Sequence, residues 1–314
     1  MTERLPLLVI AGPTGVGKTA AAVALARRLP LEVVSADSRQ VYRGMDIATG
    51  KPTRTERAAV VHHLVDVVDP DDRYSAARFR DEAAAAIAAI HARGRLPVVV
   101  GGTGLYIRAL LRGLDDGVPA DPAFRAELAG IAAEQGRAAL HDRLRDEAPA
   151  MARRLHPNDA VRVMRALERL RAGAPVGDEQ RAWRDGEPAW DTVYVGLTMD
   201  RGALARRLRA RAAAMVTAGL ADEVRGLLGR GYDPALPALQ GIGYRDFAQV
   251  AGGELAPEEA LRLMQRDTVR YARRQWTWFS REPGIEWLDM KPEAGVEHAA
   301  AALEARLARG GVIG

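Results

Sequence analysis

The sequence predicts an α/β fold in which a P-loop-containing parallel-sheet core is interrupted by an all-helical insertion domain. Three observations predict it. A Gly-rich loop directly follows the first apolar run, short apolar runs then alternate with helical stretches, and a long middle segment shows helical periodicity without a convincing strand. Apolar runs that alternate with helices are typical of a parallel sheet covered on both faces.

The first third of the chain contains both kinds of element. Its predicted strands are the short apolar runs at 5–11, 31–37, 62–68 and 96–102. Its predicted helices are longer and rich in alanine; one begins at Lys18, and the other spans 74–94 and ends at Gly94. Helices between consecutive strands are what a parallel connection requires.

The character of the sequence changes near GLDDGVPADP (113–122), where Gly, Pro and Asp cluster. Strand-like runs return at 191–199 and 284–290, with long Arg-rich helices between them. We therefore expect a core domain formed by 1–118 and 189–314, with a helical insertion domain at 119–188.

Composition excludes several classes of protein. There is no cysteine, so disulfides, Cys-ligated zinc and a cysteine nucleophile are excluded. No apolar run approaches the roughly 20 residues that cross a bilayer, and Glu3 with a short apolar run does not fit a signal peptide. We expect a cytoplasmic protein without a membrane partner.

The basic residues are almost all arginine, because Lys18, Lys51 and Lys291 are the only lysines, and the net charge is +4. Codon usage in a GC-rich genome accounts for such a bias. A polyanionic partner accounts for it equally well, since arginine binds phosphate bidentately. Composition alone leaves the two explanations open.

The loop AGPTGVGKTA (11–20) has the full phosphate-binding pattern, with Gly12 four residues before Gly17-Lys18-Thr19. Glycines let successive backbone N–H groups face one concavity, and the following helix adds its positive end. Lys18 would reach the outer phosphates and the Thr19 hydroxyl would bind Mg²⁺. Such a loop binds any pyrophosphate, so the motif does not settle the reaction.

The second acidic group of a typical P-loop ATPase is missing at the expected strand end. The run at 96–102 ends in Gly101-Gly102 without a carboxylate, whereas Asp37 ends the second strand. Asp37 could organise a metal ion, as in a kinase, or accept a proton from a nucleophile. The two glycines indicate either close approach of a ligand or a tight turn.

Several blocks resemble the tRNA dimethylallyltransferases. The resemblance spans nearly the whole chain and is carried by GPTGVGKT, SADSRQVYRGMDIATGKP (35–52), HHLVDVVDP (62–70), YSAARFR (74–80), VVGGTGLYIRALLRG (99–113), HPND (156–159), RVMRALE (162–168), GIGYR (241–245) and RYARRQWTWF (270–279). The blocks at 35–52 are specific, unlike the phosphate loop. Without cysteine the chain resembles the compact bacterial form, which lacks a zinc finger.

The resemblance implies transfer of a dimethylallyl group from dimethylallyl diphosphate to N6 of the adenosine 3′-adjacent to the anticodon, with release of diphosphate. Asp37 is then the implied general base, Thr14, Lys18 and Arg211 act beside it, and Mg²⁺ binds at Thr19. The implied diphosphate-binding residues are Gly12, Pro13, Thr14, Gly15, Val16, Gly17, Lys18, Thr19 and Arg211.

The resemblance also implies contacts with the tRNA anticodon stem-loop, from which the adenine must be flipped at a cost of about a few kcal/mol. Gln40 could read the adenine edge through its amide. The implied RNA-binding residues are Asp37, Ser38, Arg39, Gln40, Thr103, Arg125, Val161, Arg162, Val163, Met164, Arg165, Gln240, Gly241, Ile242, Gly243, Tyr244, Arg245, Arg270 and Arg274. Within this set, packing or backbone contacts are favoured for the apolar residues.

Arg262, Arg266, Arg270 and Arg274 recur every four residues and would form one basic stripe on a helix. A solvated face and a surface that follows RNA phosphates both remain open, and few carboxylates interleave, so the second is favoured.

The remaining polar and aromatic candidates have simpler interpretations. Structural roles are favoured for the histidines, which lack metal-ligand spacing, and for the aromatic residues that could bury a helix against the sheet. These are His62, His63, His156, Trp276, Trp278 and Phe279. A small-molecule kinase and a non-catalytic RNA-binding protein remain alternative functions, and a monomer is the expected state.

Overall fold

The computed structural model describes residues 4–114, 118, 121–174, 189–291 and 295–312. The chain divides into two compact units, the first formed by Met1–Leu111 with Pro188–Gly314 and the second by Arg112–Glu187. The bounds expected from the sequence were 118/119 and 188/189.

The first unit is built on a six-stranded sheet with the order β3-β2-β4-β1-β5-β6, and its strands pair in parallel. The strands are β1 (Pro6–Ala11), β2 (Leu31–Ala36), β3 (His62–His63), β4 (Leu96–Gly101), β5 (Asp191–Thr198) and β6 (Glu286–Asp289). Every residue of β2 and of β4 is buried, as expected for central strands of a parallel sheet. The predicted α/β class is confirmed.

The third strand is much shorter than the predicted run 62–68. Leu64 and Asp66 have left-handed backbones, with φ of 60° and 59°, and an extended ladder cannot continue through that conformation. The N–H groups of Val67 and Val68 instead donate to the carbonyl of Val41. The prediction of a full third strand was therefore wrong beyond His63.

Helices cover the described sheet on both faces. Those of the first unit are α1 (Lys18–Ala26), α2 (Arg54–Ala59), α3 (Ala76–Ala92), α4 (Gly104–Arg112), α9 (Arg201–Thr217), α10 (Leu220–Gly229), α11 (Tyr244–Ala251), α12 (Pro257–Phe279) and α13 (Gly295–Arg309). Side chains of β1 alternate between two buried clusters: Leu8 and Ile10 join one with α1 and α13, and Leu7 and Val9 join the other with α3 and α4.

A third cluster of the first unit positions the site. Val41 and Met45, from the stretch after β2, pack with Val224 of α10, Phe247 of α11 and Met264 of α12. The loop that follows β2 is therefore held against helices from the last third of the chain.

The described residues of the second unit form helices joined by short turns, with no strand among them. It contains α5 (Pro122–Glu134), α6 (Arg137–Glu147), α7 (Pro149–Ala152) and α8 (Ala160–Arg171). Its core includes Phe124, Leu128, Leu140, Val163 and Leu167. Asp121 and Asp159 cap α5 and α8 by accepting a backbone N–H.

None of the helices described in either unit is long and apolar enough to cross a bilayer.

Candidate functional site

Two adjoining cavities lie in the first unit. We call the first, of about 280 Å³, the loop cavity, because the phosphate loop and the carboxyl ends of β2 and β4 line it. We call the second, of about 400 Å³, the helix cavity, because α9 and α12 supply much of its wall. Four residues line both cavities: Thr14, Asp37, Thr49 and Arg211. We refer to this shared set as the junction.

The phosphate loop adopts the conformation that the motif predicts. Gly12 has a φ of 138°, and a Cβ on it would overlap the carbonyl oxygen of Leu197 at the end of β5. No other residue type fits that position without displacing backbone. The loop passes into α1 at Lys18, and the first N–H to find an acceptor within the helix is that of Ala21, which donates to Gly17. The preceding N–H groups therefore form an anion site.

Lys18 occupies the mouth of this anion site. Its ammonium donates to the carbonyl oxygens of Gly12 and Pro13, each at 2.9 Å. Burial lowers the pKa of Lys18 to about 8; the negative charge of Asp37 acts against that shift and the positive charge of Arg211 adds to it. With a pKa of about 8 the amine is largely protonated at neutral pH and loses its charge as the pH rises above 8.

Thr14 is fixed by a residue far away in the sequence. Its backbone N–H donates to Oε1 of Gln275 on α12 at 2.8 Å, and Nε2 of Gln275 donates to the carbonyl of Gly102 at 2.8 Å. Gln275 is buried. Sequence reasoning missed this residue, although a glutamine followed by WTWF on a packed helix is itself a signal, because a buried amide requires partners.

Asp37 follows β2 directly and turns the chain there. Its Oδ1 accepts the backbone N–H of Arg39 at 2.9 Å and, more weakly, that of Gln40 at 3.4 Å. These bonds are typical of an Asx turn, and they leave the carboxylate at the junction with its direction set by the backbone. The predicted candidate base and the predicted phosphate loop therefore lie at one site.

Arg211, from α9, brings a second cation to the junction. A Cβ on Gly50 would overlap its Nη2, so the guanidinium lies directly against the backbone of Gly50. Burial lowers the pKa of Arg211, and the charge of Asp37 opposes that shift. The structure thus places Arg211 beside both cavities, as the diphosphate prediction requires.

Gln40 does not face the helix cavity. Ser35 donates to its Oε1 at 3.0 Å, its Nε2 donates to the Gly50 carbonyl at 3.2 Å, and it lines the loop cavity. To read an adenine edge, this amide would first have to break those bonds. In the described fold Gln40 instead ties the turn after β2 to the loop that carries Thr49.

Ser38 and Arg39 lie in the wall of the helix cavity. The backbone N–H of Ser38 donates to the hydroxyl of Thr103 at 3.0 Å. Arg39 donates to the carbonyl of Pro237 at 2.7 Å, which connects the turn after β2 to the stretch before α11. Thr103 thus contributes a structural bond at this point.

Gly101 and Gly102 permit close approach, but the approaching group is the protein itself. A Cβ on Gly101 would overlap the carbonyl of Ala36, and one on Gly102 would overlap Nε2 of Gln275. Of the two interpretations of these glycines, ligand approach and a tight turn, neither is needed to account for them.

The stretch before α11 forms another wall of the helix cavity, through Gln240, Gly241, Ile242, Tyr244 and Arg245. Gly243 is not part of that wall; a Cβ on Gly243 would lie 3.0 Å from the Cβ of Ala48. Gln240 donates from its amide to the carbonyl of Pro234 at 2.8 Å.

Glu223 of α10 is a second residue that sequence reasoning missed. Its carboxylate accepts the backbone N–H groups of Asp46 and Ile47 and the hydroxyl of Tyr244, the last at 2.5 Å. Burial and the negative charge of Glu223 raise the pKa of Tyr244. The loop that carries Thr49 is thereby anchored to α10.

The predicted basic stripe divides into two parts along α12. Arg262 pairs with Glu259, and Arg266 pairs with Asp267, which also lies 3.6 Å from Arg270. The positive charge of this half is therefore largely compensated.

The other end of the stripe is different. Arg274 lies 5.6 Å from the ring centroid of Tyr271, and both residues line the helix cavity. Burial raises the pKa of Tyr271 to about 12, and the charge of Asp37 contributes in the same direction. Arg274 is thus the member of the stripe that lies at the site.

The RNA-contact residues predicted in the second unit are partly committed to its own fold. Arg125 pairs with the buried Glu168 through both carboxylate oxygens, at 2.6 and 2.9 Å. Val163 is fully buried, so any RNA contact there would run through its backbone.

Their neighbours on α8 are more accessible. Val161 is 75% exposed and Met164 is partly buried against the core of the unit. Arg162 is exposed near Asp159, and Arg165 donates to the carbonyl of Val118 at 2.8 Å.

The histidines and aromatic residues have structural partners. Nε2 of His63 lies 2.6 Å from Glu32, and Nδ1 of His62 lies 2.9 Å from the carbonyl of Val60. Phe279 is buried in the cluster of α3 and α4, with Trp278 packed against it. The guanidinium of Arg201 covers the ring of Trp276 at 4.2 Å, and Nδ1 of His156 accepts from the backbone of Asn158.

The residues at the loop cavity fit Mg²⁺ only with help from a ligand. Within the part of the chain that the structure describes, no group of three or more His, Asp and Glu side chains could hold a metal ion. Thr19 and Asp37 both line the loop cavity. Magnesium is commonly bound by one or two protein oxygens together with substrate phosphates, so a diphosphate would have to complete its coordination shell.

Comparisons with known proteins agree across sequence and structure. The family model described as IPP transferase matches residues 40–282, and the one described as isopentenyl transferase matches residues 5–64. A tRNA dimethylallyltransferase of Anaeromyxobacter sp. (strain K) is 51% identical over 282 residues, covering 90% of this chain and 92% of the relative. That of Syntrophobacter fumaroxidans is 46% identical over 293 residues, covering 93% and 86%.

Solved structures give the same result. The crystal structure of the full-length tRNA isopentenylpyrophosphate transferase from Bacillus halodurans matches with a TM-score of 0.71 at 39% identity, covering 98% of each chain. A eukaryotic dimethylallyltransferase acting on tRNA matches with a TM-score of 0.79 at 27% identity, covering 97% of this chain and 79% of that one.

Proposed function

Because this chain belongs to the family of tRNA dimethylallyltransferases, we propose that it transfers the dimethylallyl group of dimethylallyl diphosphate to N6 of the adenosine 3′-adjacent to the anticodon of tRNA. The observation that carries this proposal is the junction. An anion site and a second, larger cavity meet at Thr14, Asp37, Thr49 and Arg211, and a transfer between two substrates needs such a meeting point.

The diphosphate is assigned to the loop cavity. The N–H groups at the start of α1, the ammonium of Lys18 and the guanidinium of Arg211 are all directed to one concavity. Preorganised donors of this kind stabilise charge that grows on a leaving group. The Thr19 hydroxyl would hold Mg²⁺, whose charge would further offset that of the diphosphate.

The acceptor adenine is assigned to the helix cavity. Tyr271 and Arg274 offer a ring and a guanidinium for stacking, and Ile242 and Met264 offer apolar surface. The flipped base would thus occupy the helix cavity and present N6 at the junction. The wider set of RNA contacts, including those of the second unit, remains a prediction.

The reaction then needs one proton transfer. N6 of the adenine attacks C1 of the allyl group, the bond between C1 and the diphosphate oxygen breaks, and the electron pair of that bond leaves with the diphosphate. Asp37 accepts the proton that N6 loses as the new bond forms. The amine becomes acidic only during the attack, so the proton moves to the carboxylate as the new bond forms.

The four junction residues meet within a single copy of the chain, so the proposed reaction needs no residue from a second copy. A tRNA substrate supports a cytoplasmic location.

Mass spectrometry of tRNA nucleosides tests the function directly. After incubation of unmodified tRNA with the protein, dimethylallyl diphosphate and Mg²⁺, we expect one adenosine to gain one five-carbon prenyl unit, and diphosphate to appear in equal amount. Omitting Mg²⁺ with a chelator should reduce the yield. Steady ATP hydrolysis by the protein, with no prenylated nucleoside under saturating donor, would overturn the proposal in favour of a kinase.

A further inference from the structure

We infer that Gln275 is a positioning residue of this reaction, which holds Thr14 at the junction; the inference rests on the proposed function. Gln275 belongs to α12, whereas Thr14 belongs to the phosphate loop, 261 residues earlier in the chain. No sequence motif joins the two.

The carboxamide of Gln275 has both ends committed. Oε1 accepts the N–H of Thr14 and Nε2 donates to the carbonyl of Gly102, each at 2.8 Å, and the residue is only 6% exposed. A buried amide with both bonds made is held in one rotamer, because breaking either bond would leave a polar group unpaired. The phosphate loop is therefore fastened to the end of β4 through this side chain.

The bond to Gln275 changes what the phosphate loop can offer to an anion. Pro13 has no N–H, and the N–H of Thr14 points to Gln275. Val16 donates its N–H to the carbonyl of Pro13 at 3.4 Å, so the available backbone donors of the loop are those of Gly15, Gly17 and Lys18, and Thr14 contributes to the junction through its side chain. A Thr14 N–H released from Gln275 would be free to turn toward the anion, and the Thr14 side chain would move with its backbone.

The surroundings of Gln275 support a role in placement beyond packing. Gly102 leaves just enough room for Nε2, since a Cβ there would overlap that atom. The residue before Gln275 on α12 is Arg274, which lines the helix cavity. One helix thus carries both an outer wall of the acceptor site and the inner support of the donor site.

The test replaces Gln275 by methionine, which fills a similar volume without hydrogen bonds. We expect kcat for prenyl transfer to fall by about tenfold to a hundredfold, while KM for dimethylallyl diphosphate changes by less than about threefold, because the backbone donors of Gly15, Gly17 and Lys18 remain. The matched control is Gln265→Met on the same helix, where Nε2 bonds the carbonyl of Arg209 away from both cavities; its kcat should stay near that of the wild type.

A double-mutant cycle separates placement from general loosening. If Gln275 acts by placing the Thr14 hydroxyl, then Gln275→Met should cost little further activity in a Thr14→Ala background. Multiplying losses in the double variant would overturn the inference, as would an unchanged kcat in a folded Gln275→Met protein.

A second variant keeps the test decisive if Gln275→Met does not fold. Gly102→Ala leaves the sequence of α12 unchanged. Its Cβ should displace the amide of Gln275 from the other side and so reproduce the loss of kcat. Failure of this inference is distinct from failure of the function: if the wild-type protein gives no prenylated adenosine, the function is wrong, whereas normal wild-type transfer with no effect of either variant overturns the role of Gln275 alone.

Discussion

The loop cavity and the helix cavity are built in different ways. The first combines one contiguous stretch, the phosphate loop from Thr14 to Thr19, with the strand ends beside it, the segment 49–53, and side chains of α9 and α12. The second has no such motif and is assembled from the turn after β2, the segment that carries Thr49, α9, the stretch before α11, α11 itself and α12, with Thr14 as its one residue from the phosphate loop. A motif can therefore locate the anion site, whereas only the complete fold produces the acceptor site.

The difference also separates two ways of losing activity. A change in the loop cavity should alter the handling of the donor, and a change in the helix cavity should alter the handling of the RNA. Only the junction, and residues such as Gln275 that position it, should affect the chemical step with both substrates bound. The following predictions test that division, in order of decreasing effect.

Asp37→Ala should produce the largest loss. Removing a general base costs about a thousandfold in kcat, while the affinities for tRNA and for dimethylallyl diphosphate should stay within about threefold of the wild type, because most of the lining of both cavities is supplied by other residues. Single-turnover transfer with both substrates saturating measures the loss in the chemical step, and equilibrium binding measures the two affinities. Asp72→Ala, in a loop outside both cavities, is the control. An equal loss of binding and of kcat would refute the assignment of the base.

The pH dependence of donor capture should follow Lys18. Since burial lowers its pKa to about 8, the free enzyme loses this cation as the pH rises above 8, and kcat/KM for the donor should fall by about tenfold per pH unit there. A bound diphosphate favours the charged amine, so kcat itself should remain flat over the same range. In Lys18→Arg the descending limb should vanish, because arginine stays charged; a limb unchanged in that variant would assign it to another group.

Arg274→Ala should have the smallest effect of the three and should act on RNA alone. Arg274 lines the helix cavity, so its loss should weaken tRNA binding by about fivefold to tenfold and reduce the salt dependence of log Kd by about one charge. Arg262→Ala is the matched control on the same helix, since that guanidinium pairs with Glu259. If both variants weaken binding equally, the whole stripe contacts RNA and the division between its two halves is wrong.

Local signals account for the parts of this molecule that the sequence predicted well. The apolar runs at β1, β2 and β4 are short, buried and followed by helices, and the spacing of Gly12, Gly17 and Lys18 prescribes the phosphate loop without reference to the rest of the chain. The predicted length of the third strand was wrong for an equally local reason. Leu64 and Asp66 have left-handed backbones, and an apolar run does not reveal them.

The residues that escaped prediction have partners far away in the sequence. Glu223 anchors a loop that lies 176 residues earlier, and Gln275 holds one that lies 261 residues earlier. A buried polar side chain on a helix indicates that a partner exists, but only the fold identifies the partner. Gln40 is the opposite case. Its sequence context predicts a contact with the adenine edge, whereas in the fold its amide is hydrogen-bonded to Ser35 and to the carbonyl of Gly50.

The hydrogen bonds of the Lys18 ammonium also affect how readily the enzyme binds its next donor molecule. It donates hydrogen bonds to two carbonyl oxygens of its own loop. These oxygens carry no net charge and hold a cation more weakly than a carboxylate would. An incoming diphosphate therefore does not have to displace a carboxylate from Lys18. After the product leaves, Lys18 can form the same two hydrogen bonds again. Lys18 is thus available to an incoming diphosphate without the loss of an ion pair.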